Sequence, residues 1–248
     1  MTRISVELVP RDVEVLKEEV KTIKEKLSDV DFINIPDLLS CDTRSWDGAN
    51  IAKAYFDDVV PHLRAMDFDF TKDLPIKDNL REYNIKEVLV IEGDPPQSML
   101  YQVYPTISTD IIKKFSEEMP EITVYAGIDQ YRSSMKEEEY RIRRKQLAGA
   151  KGFFTQPFFD MRYLEMYADL LDGLDIYWGV SPVLSERSVS YWRNKNNVIF
   201  PKDFEPTLEW NIEFARKVIE FARKHNHNVY LMPIKAKIMP YLEGVFAK

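Results

Sequence analysis

TVYAGIDQYRSSMKEEEYRIRRKQLAGAKGFFTQPFFD, residues 123–160, holds one complete strand–helix–strand unit. Thr123–Ile128 and Gly152–Thr155 are short runs of apolar, β-branched and aromatic residues, and Lys136–Leu147 between them is long and charged enough for a surface helix. Two strands joined through a helix run parallel, and the same alternation continues in both directions along the chain. The strands are read as Ile4–Leu8, Phe32–Ile35, His62–Met66, Val88–Ile91, Thr123–Ile128, Gly152–Thr155, Ile176–Val180 and Val229–Met232. Helices are placed at Val13–Leu27, Ala49–Val59, Ile76–Tyr83, Thr109–Glu117, Lys136–Leu147, Tyr163–Leu171 and Asn211–Lys224, with a last one ending near Phe246. Eight such units in 248 residues predict an α/β fold, a (β/α)8 TIM barrel that forms a single domain over residues 1–248. A doubly wound open sheet is the competing architecture.

Three of these strands stop on a polar side chain: Glu7 in SVELVPR, Asp94 in IEGDPP and Gln156 in FFTQPFFD. An unpartnered carboxylate or amide in a low-dielectric setting costs several kcal/mol, on the order of 2–7, so three such endings point to a shared pocket. In a barrel all three lie at the C-terminal mouth, where active sites gather. Along the first strand Ile4, Val6 and Leu8 share one parity and Ser5 and Glu7 the other, which turns Glu7 into the barrel.

Composition narrows the function classes. The 41 acidic against 34 basic side chains give a net charge of −7, which argues against a general nucleic-acid or anionic-membrane surface. Cys41 is the only cysteine, so no intrachain disulfide and no cysteine-based zinc site is available, and a reducing, cytoplasmic setting follows most simply. The first strand begins almost at Met1, which leaves no room for a signal peptide, and no apolar run is long enough to span a bilayer. No P-loop, GxGxxG or Ser-centred nucleophile elbow occurs. The loops Pro36–Gly48 and Asn194–Pro206 are the largest departures from the repeating unit and are placed as walls or lids over the mouth.

Each candidate residue carries two readings. Glu7 is either a general acid whose pKa is raised by burial or a structural carboxylate paired with a lysine inside the barrel. Asp94, between Gly93 and Pro95, is held in a stiff turn, which a plain turn aspartate shares. The Gln156 amide donates and accepts at once, as suits a heterocycle edge, and a turn role is equally ordinary. Arg141, Arg143, Arg144 and Lys145 lie on one helix, mostly as a solvated face paired with Glu137 to Glu139, with one or two in reach of a phosphate. His62 stands at a strand start, and the His225/His227 pair lacks the carboxylate or cysteine companions of a metal site, so none is expected.

Taken in order, VELVPR, IEGDPP and KQLAGAKGFFTQPFFD resemble the methylenetetrahydrofolate reductase family, with further likeness in PHLRAMD (61–67), GVSPV (179–183) and NNVIFP (196–201). The resemblance runs from Ser5 to about Lys237. It implies a cytoplasmic oxidoreductase of one-carbon metabolism and methionine biosynthesis. Such an enzyme binds FAD at the strand C-termini and reduces 5,10-methylenetetrahydrofolate, or an archaeal-type methylene-pterin, to the 5-methyl form. NADH or NADPH, or an electron-donating partner subunit, would supply the electrons, and a homo-oligomer is implied as well. By resemblance Glu7 is the general acid, Asp94 lies against flavin and pterin, and Gln156 bonds the pterin edge. His62, Gly93, Arg144 and Lys145 contact flavin, and Glu138 replaces a ribose-binding aspartate. Trp192 stacks on folate, and Lys235 replaces an arginine near the folate tail.

The chain departs from the family at several flavin contacts. Glu92 stands where an arginine usually precedes Gly-Asp, GIDQYRS (127–133) replaces a Tyr-Pro-Glu-x-His-Pro run, and Pro36 takes the place of a threonine. Two expectations follow: FAD held through altered contacts, or a flavin-independent reductase of the same substrate. A third reading is a non-catalytic C1-pterin-binding subunit of a methyltransferase complex.

Overall fold

The computed structural model describes residues 2–96, 98, 101–234 and 237–247. Among these residues eight parallel strands close into a barrel in sequence order, β1 pairing with both β2 and β8. The chain runs β1 (Ile4–Glu7), α1 (Val13–Lys26), β2 (Phe32–Ile35), α2 (Ser45–Ala52), β3 (Val59–Arg64), α3 (Lys77–Glu82), β4 (Glu87–Ile91) and α4 (Ser108–Glu118). It continues β5 (Thr123–Ile128), α5 (Met135–Ala148), β6 (Gly152–Pro157), α6 (Met161–Leu170), β7 (Ile176–Val180), α7 (Glu186–Lys195), α8 (Leu208–His225), β8 (Asn228–Leu231) and α9 (Ile238–Phe246). The closed (β/α)8 barrel is the expected one, and the open sheet is excluded. No helix of the described residues is long and apolar enough to cross a membrane.

Local chemistry sets the helix ends. The Asp12 carboxylate accepts from the backbone N–H of Glu14 and Val15 to start α1, and the Ser134 hydroxyl accepts from Glu137 N–H to start α5. Three expectations are corrected. The strand placed at His62–Met66 is Val59–Arg64, because Pro61 reads as a strand boundary but sits inside β3, and His62 is therefore mid-strand. The helix placed at Ala49–Val59 is Ser45–Ala52; residues 53–58 form the turn that follows it, and of the predicted tail only Val59 belongs to β3. A helix that the periodicity does not announce, α7, lies between β7 and α8; Val189 is its one buried residue.

Strand parity divides the core. Ile4, Val6, Leu8, Ile33, Ile35, Val88, Val90 and their counterparts face outward and pack under the helices. Phe32, Val60, Leu89, Tyr125, Phe154, Tyr177, Tyr230 and Met232 fill the barrel itself. Phe154 and Tyr177 stack at 4.1 Å between ring centroids. The N-terminal end is closed by Arg3, whose guanidinium meets both Glu87 oxygens at 3.1 Å, takes in the Tyr177 and Tyr125 hydroxyls at 3.0 and 3.3 Å and lies 4.4 Å over the Phe32 ring. The candidate site lies at the other end.

Candidate active site at the barrel mouth

The strand register stacks the barrel interior in layers contributed by alternate strands. Near the C-terminal end, the odd strands contribute Glu7, His62, Gly127 and Gly179. The even strands contribute Asn34, Leu89, Phe154 and Tyr230 just beneath. Two glycines in the upper layer send no side chain inward, so Glu7 and His62 stand on one side with the lower layer as a floor.

Glu7 is 8% exposed and accepts a hydrogen bond from the Tyr230 hydroxyl. Burial pushes its carboxyl up to about 7, against the opposing pull of that hydrogen bond and of the Arg11 charge. His62 Nδ1 lies 3.9 Å from Glu7 Oε2, and burial drives the imidazole down to about 3, so at neutral pH it is uncharged. Its Nε2 is buried without a hydrogen-bond partner. Near pH 7 the site therefore holds a carboxyl that readily carries a proton beside a neutral imidazole, a pairing suited to general acid work.

Asp94 and Gln156 stand at the same end. Asp94 is exposed three residues past β4, and its backbone carbonyl accepts from Arg64 Nη2 at 2.8 Å. Gly93 before it has φ +87°, and a Cβ there would press on Arg64 and Met66, so the turn needs glycine. Gln156 is exposed on β6, where the pairing with β7 shifts register between Phe154 and Pro157. The buried Gln130 side chain donates from Nε2 to the Gln156 carbonyl at 2.7 Å and anchors that irregularity.

The remaining predicted positions are not all gathered there. Lys145 Nζ donates to the Gly127 carbonyl at 2.6 Å, and burial lowers its pKa. Glu138 is buried and accepts from Asp129 N–H at 3.2 Å, its pKa raised by burial. Arg144 is exposed, 5.9 Å from the Tyr140 ring on the outer face of α5, while Arg141 and Arg143 pair with Glu137 and Glu139 as the helical spacing predicts. Trp192 on α7 is half-buried against Phe159 at 6.2 Å in a satellite apolar cluster. His227 accepts from the Trp178 indole and His225 stacks on Phe221. Lys235 lies outside the described residues.

These contacts do not fit a flavin pyrophosphate. Glu92, in the place of the family's arginine, uses both carboxylate oxygens on Ser108, on its N–H at 3.1 Å and its hydroxyl at 2.6 Å, at the start of α4. Of the two basic residues implied as phosphate partners, one is spent on a backbone carbonyl and the other points to the outer surface.

Several residues escaped the sequence reading. Arg44 grips Asp37 at 3.0 and 2.5 Å and Asp67 at 3.0 Å, and Asp67 also reaches Arg64 at 3.4 Å, tying together the loops after β2 and β3. Tyr230 and Asn34 complete the surroundings of Glu7. Their signal was present as an inward-parity polar residue in NVYL and FINI, strands otherwise mostly apolar.

No family model matches the chain. Over 147 residues it is 22% identical to the 5,10-methylenetetrahydrofolate reductase of Buchnera aphidicola subsp. Schizaphis graminum (strain Sg), a match that takes in 57% of this chain and 50% of that one. The chain thus spans about half the length of the curated relative it matches. Among solved structures, an uncharacterized protein from Clostridium thermocellum that binds two copies of 5-methyl-5,6,7,8-tetrahydrofolic acid superposes with a TM-score of 0.65 at 14% identity, over 98% of this chain and 94% of that one. Oxaloacetate acetylhydrolase gives 0.61 at 10% identity, over 96% and 77%. At these identities the two structures establish the barrel, and the sequence relative marks a distant similarity to the methylenetetrahydrofolate reductases.

Proposed function

We propose that the barrel mouth binds a reduced pterin carrying a one-carbon unit and reduces its methylene bridge to a methyl group, as in the conversion of 5,10-methylenetetrahydrofolate to the 5-methyl form. The observation that carries this reading is Glu7, a buried carboxyl with a pKa of about 7 at the mouth end of β1. The distant reductase and the folate-binding barrel support the choice of substrate.

The chemistry is as follows. A bridged methylene between two nitrogens is a poor hydride acceptor. Protonated Glu7 gives its proton to a ring nitrogen, one C–N bond breaks, and the carbon becomes part of an iminium cation. The Asp94 carboxylate favours that cation, and hydride added to its carbon leaves an N-methyl group. The Gln156 amide meets the ring edge. We take the hydride to come from a dissociable reduced nicotinamide, because the residues at the flavin positions are committed elsewhere.

The test is anaerobic turnover of 5,10-methylenetetrahydrofolate with NADH or NADPH, together with mass spectrometry of the native protein for bound flavin. Glu7→Gln removes the proton source and is expected to lower kcat about 10²-fold or more with little change in substrate affinity. The folate-binding neighbour favours a second reading, a pterin carrier without chemistry. Absence of turnover in the parent, with 5-methyltetrahydrofolate still bound, would select it.

A further inference from the structure

The layer beneath Glu7 contains an anomaly. Asn34 is wholly buried, at 0% exposure, yet neither its Oδ1 nor its Nδ2 makes a hydrogen bond, although the carboxamide lies close enough to Tyr230 to act on that hydroxyl. His62 Nε2 nearby is unpartnered as well. Leaving such groups unsatisfied costs on the order of 1–3 kcal/mol each, and an apolar residue of the same shape would avoid that cost. Asn34 pairs in register with Glu7 on one side and with β3, the strand of His62, on the other.

The unsatisfied Asn34 and His62 atoms belong to a larger polar group. Four consecutive strands, β8, β1, β2 and β3, contribute Tyr230, Glu7, Asn34 and His62, a polar crescent on one wall. Across the barrel the corresponding positions are Leu89, Gly127, Phe154 and Gly179. The wall is thus polar where the proton donor stands and apolar opposite. A flat ring entering the mouth would meet hydrogen-bonding groups along one edge.

We infer that Asn34 is a ligand-recognition residue: its carboxamide reads a lactam edge, Nδ2–H donating to the ring carbonyl and Oδ1 accepting from the adjacent ring N–H. The inference rests on the pterin reading, and it orients the ring. In a reduced pterin the C4 carbonyl lies beside N5, so a bicycle gripped at that edge presents its reacting nitrogens toward Glu7. A carboxamide, with one donor and one acceptor, matches a lactam, and turned about its Cβ–Cγ bond it also matches an amidine, in which an amino group replaces the carbonyl; a leucine side chain matches neither.

The probes are 5-methyltetrahydrofolate and its 4-amino analogue, titrated by calorimetry without turnover against the parent and Asn34→Leu, with melting curves for both proteins. The parent should bind both, the carboxamide turning to present its donor and acceptor in either order. Asn34→Leu should bind both about 10-fold or more weakly and melt about 2 °C or more above the parent, because the orphaned polar atoms are gone. A recognition residue kept at a cost to the fold is the source of this opposed pair of effects. If the variant fails to fold, Asn34→Ser is read in the same way, by the affinity of both ligands and by its melting curve. Unchanged affinity would overturn the inference while leaving the pterin reading intact, and a folded variant that loses stability together with binding would overturn it by making Asn34 part of the fold. A parent that takes up neither pterin fails at the earlier step and carries the inference down with it.

Discussion

Glu7 and His62 are two buried titratable groups with opposite effects on stability. The folded-state pKa of Glu7, about 7, is above the ordinary 4.5, so the folded protein holds the extra proton between these values and loses stability as pH rises through them. The loss amounts to about 3 kcal/mol once Glu7 is fully ionised. Glu7→Gln cannot ionise, and should melt above the parent at pH 8 and level with it near pH 4. His62 works the other way: with a folded value of about 3 against 6.5, its neutral form is favoured and stability falls as pH drops through that interval. Tyr230→Phe removes a donor to the ionised carboxylate, and should move the upper limb of the kcat/KM profile to higher pH. The inward direction of Glu7 was legible from strand alternation alone. What it touches was not, because Tyr230 lies 223 residues away.

Secondary elements settle what the altered flavin positions do here. Glu92 looked like a misplaced charge in the sequence, but beside Ser108 it serves the start of α4, where the unpaired N–H groups and the helix dipole favour an anion. Glu92→Arg, which restores the family's residue, would put a cation at that end and leave the Ser108 groups unpaired. It is expected to cost about 1–2 kcal/mol, read as an earlier urea midpoint with an unchanged slope. Most strands and helices were recognisable from apolar runs and helical spacing. The exceptions have physical causes: Pro61 hid the first half of β3, and α7 buries too narrow a stripe to impress a period on its sequence.

For the molecule as a whole, the barrel's base carries a stabilising ion pair and its mouth the candidate site. At the base Arg3 neutralises Glu87, whose side chain is only 16% exposed, and orders two tyrosine hydroxyls. Arg3→Met should cost about 3 kcal/mol, since Glu87 would be left without its cation, while 5-methyltetrahydrofolate binding at the far mouth holds. Thermal melting with and without ligand checks both parts. Eight alternating units made the architecture readable, but the layering of side chains depends on register and shear, which no local pattern encodes. The contact between Tyr230 and Glu7 crosses the seam where the first strand meets the last. A chain folded everywhere except at that joint would carry an acid in ordinary contact with water and an ordinary affinity for protons. The raised proton affinity of Glu7 thus depends on that seam being closed, and the infrared carbonyl band of Glu7, followed during refolding, would time its closure.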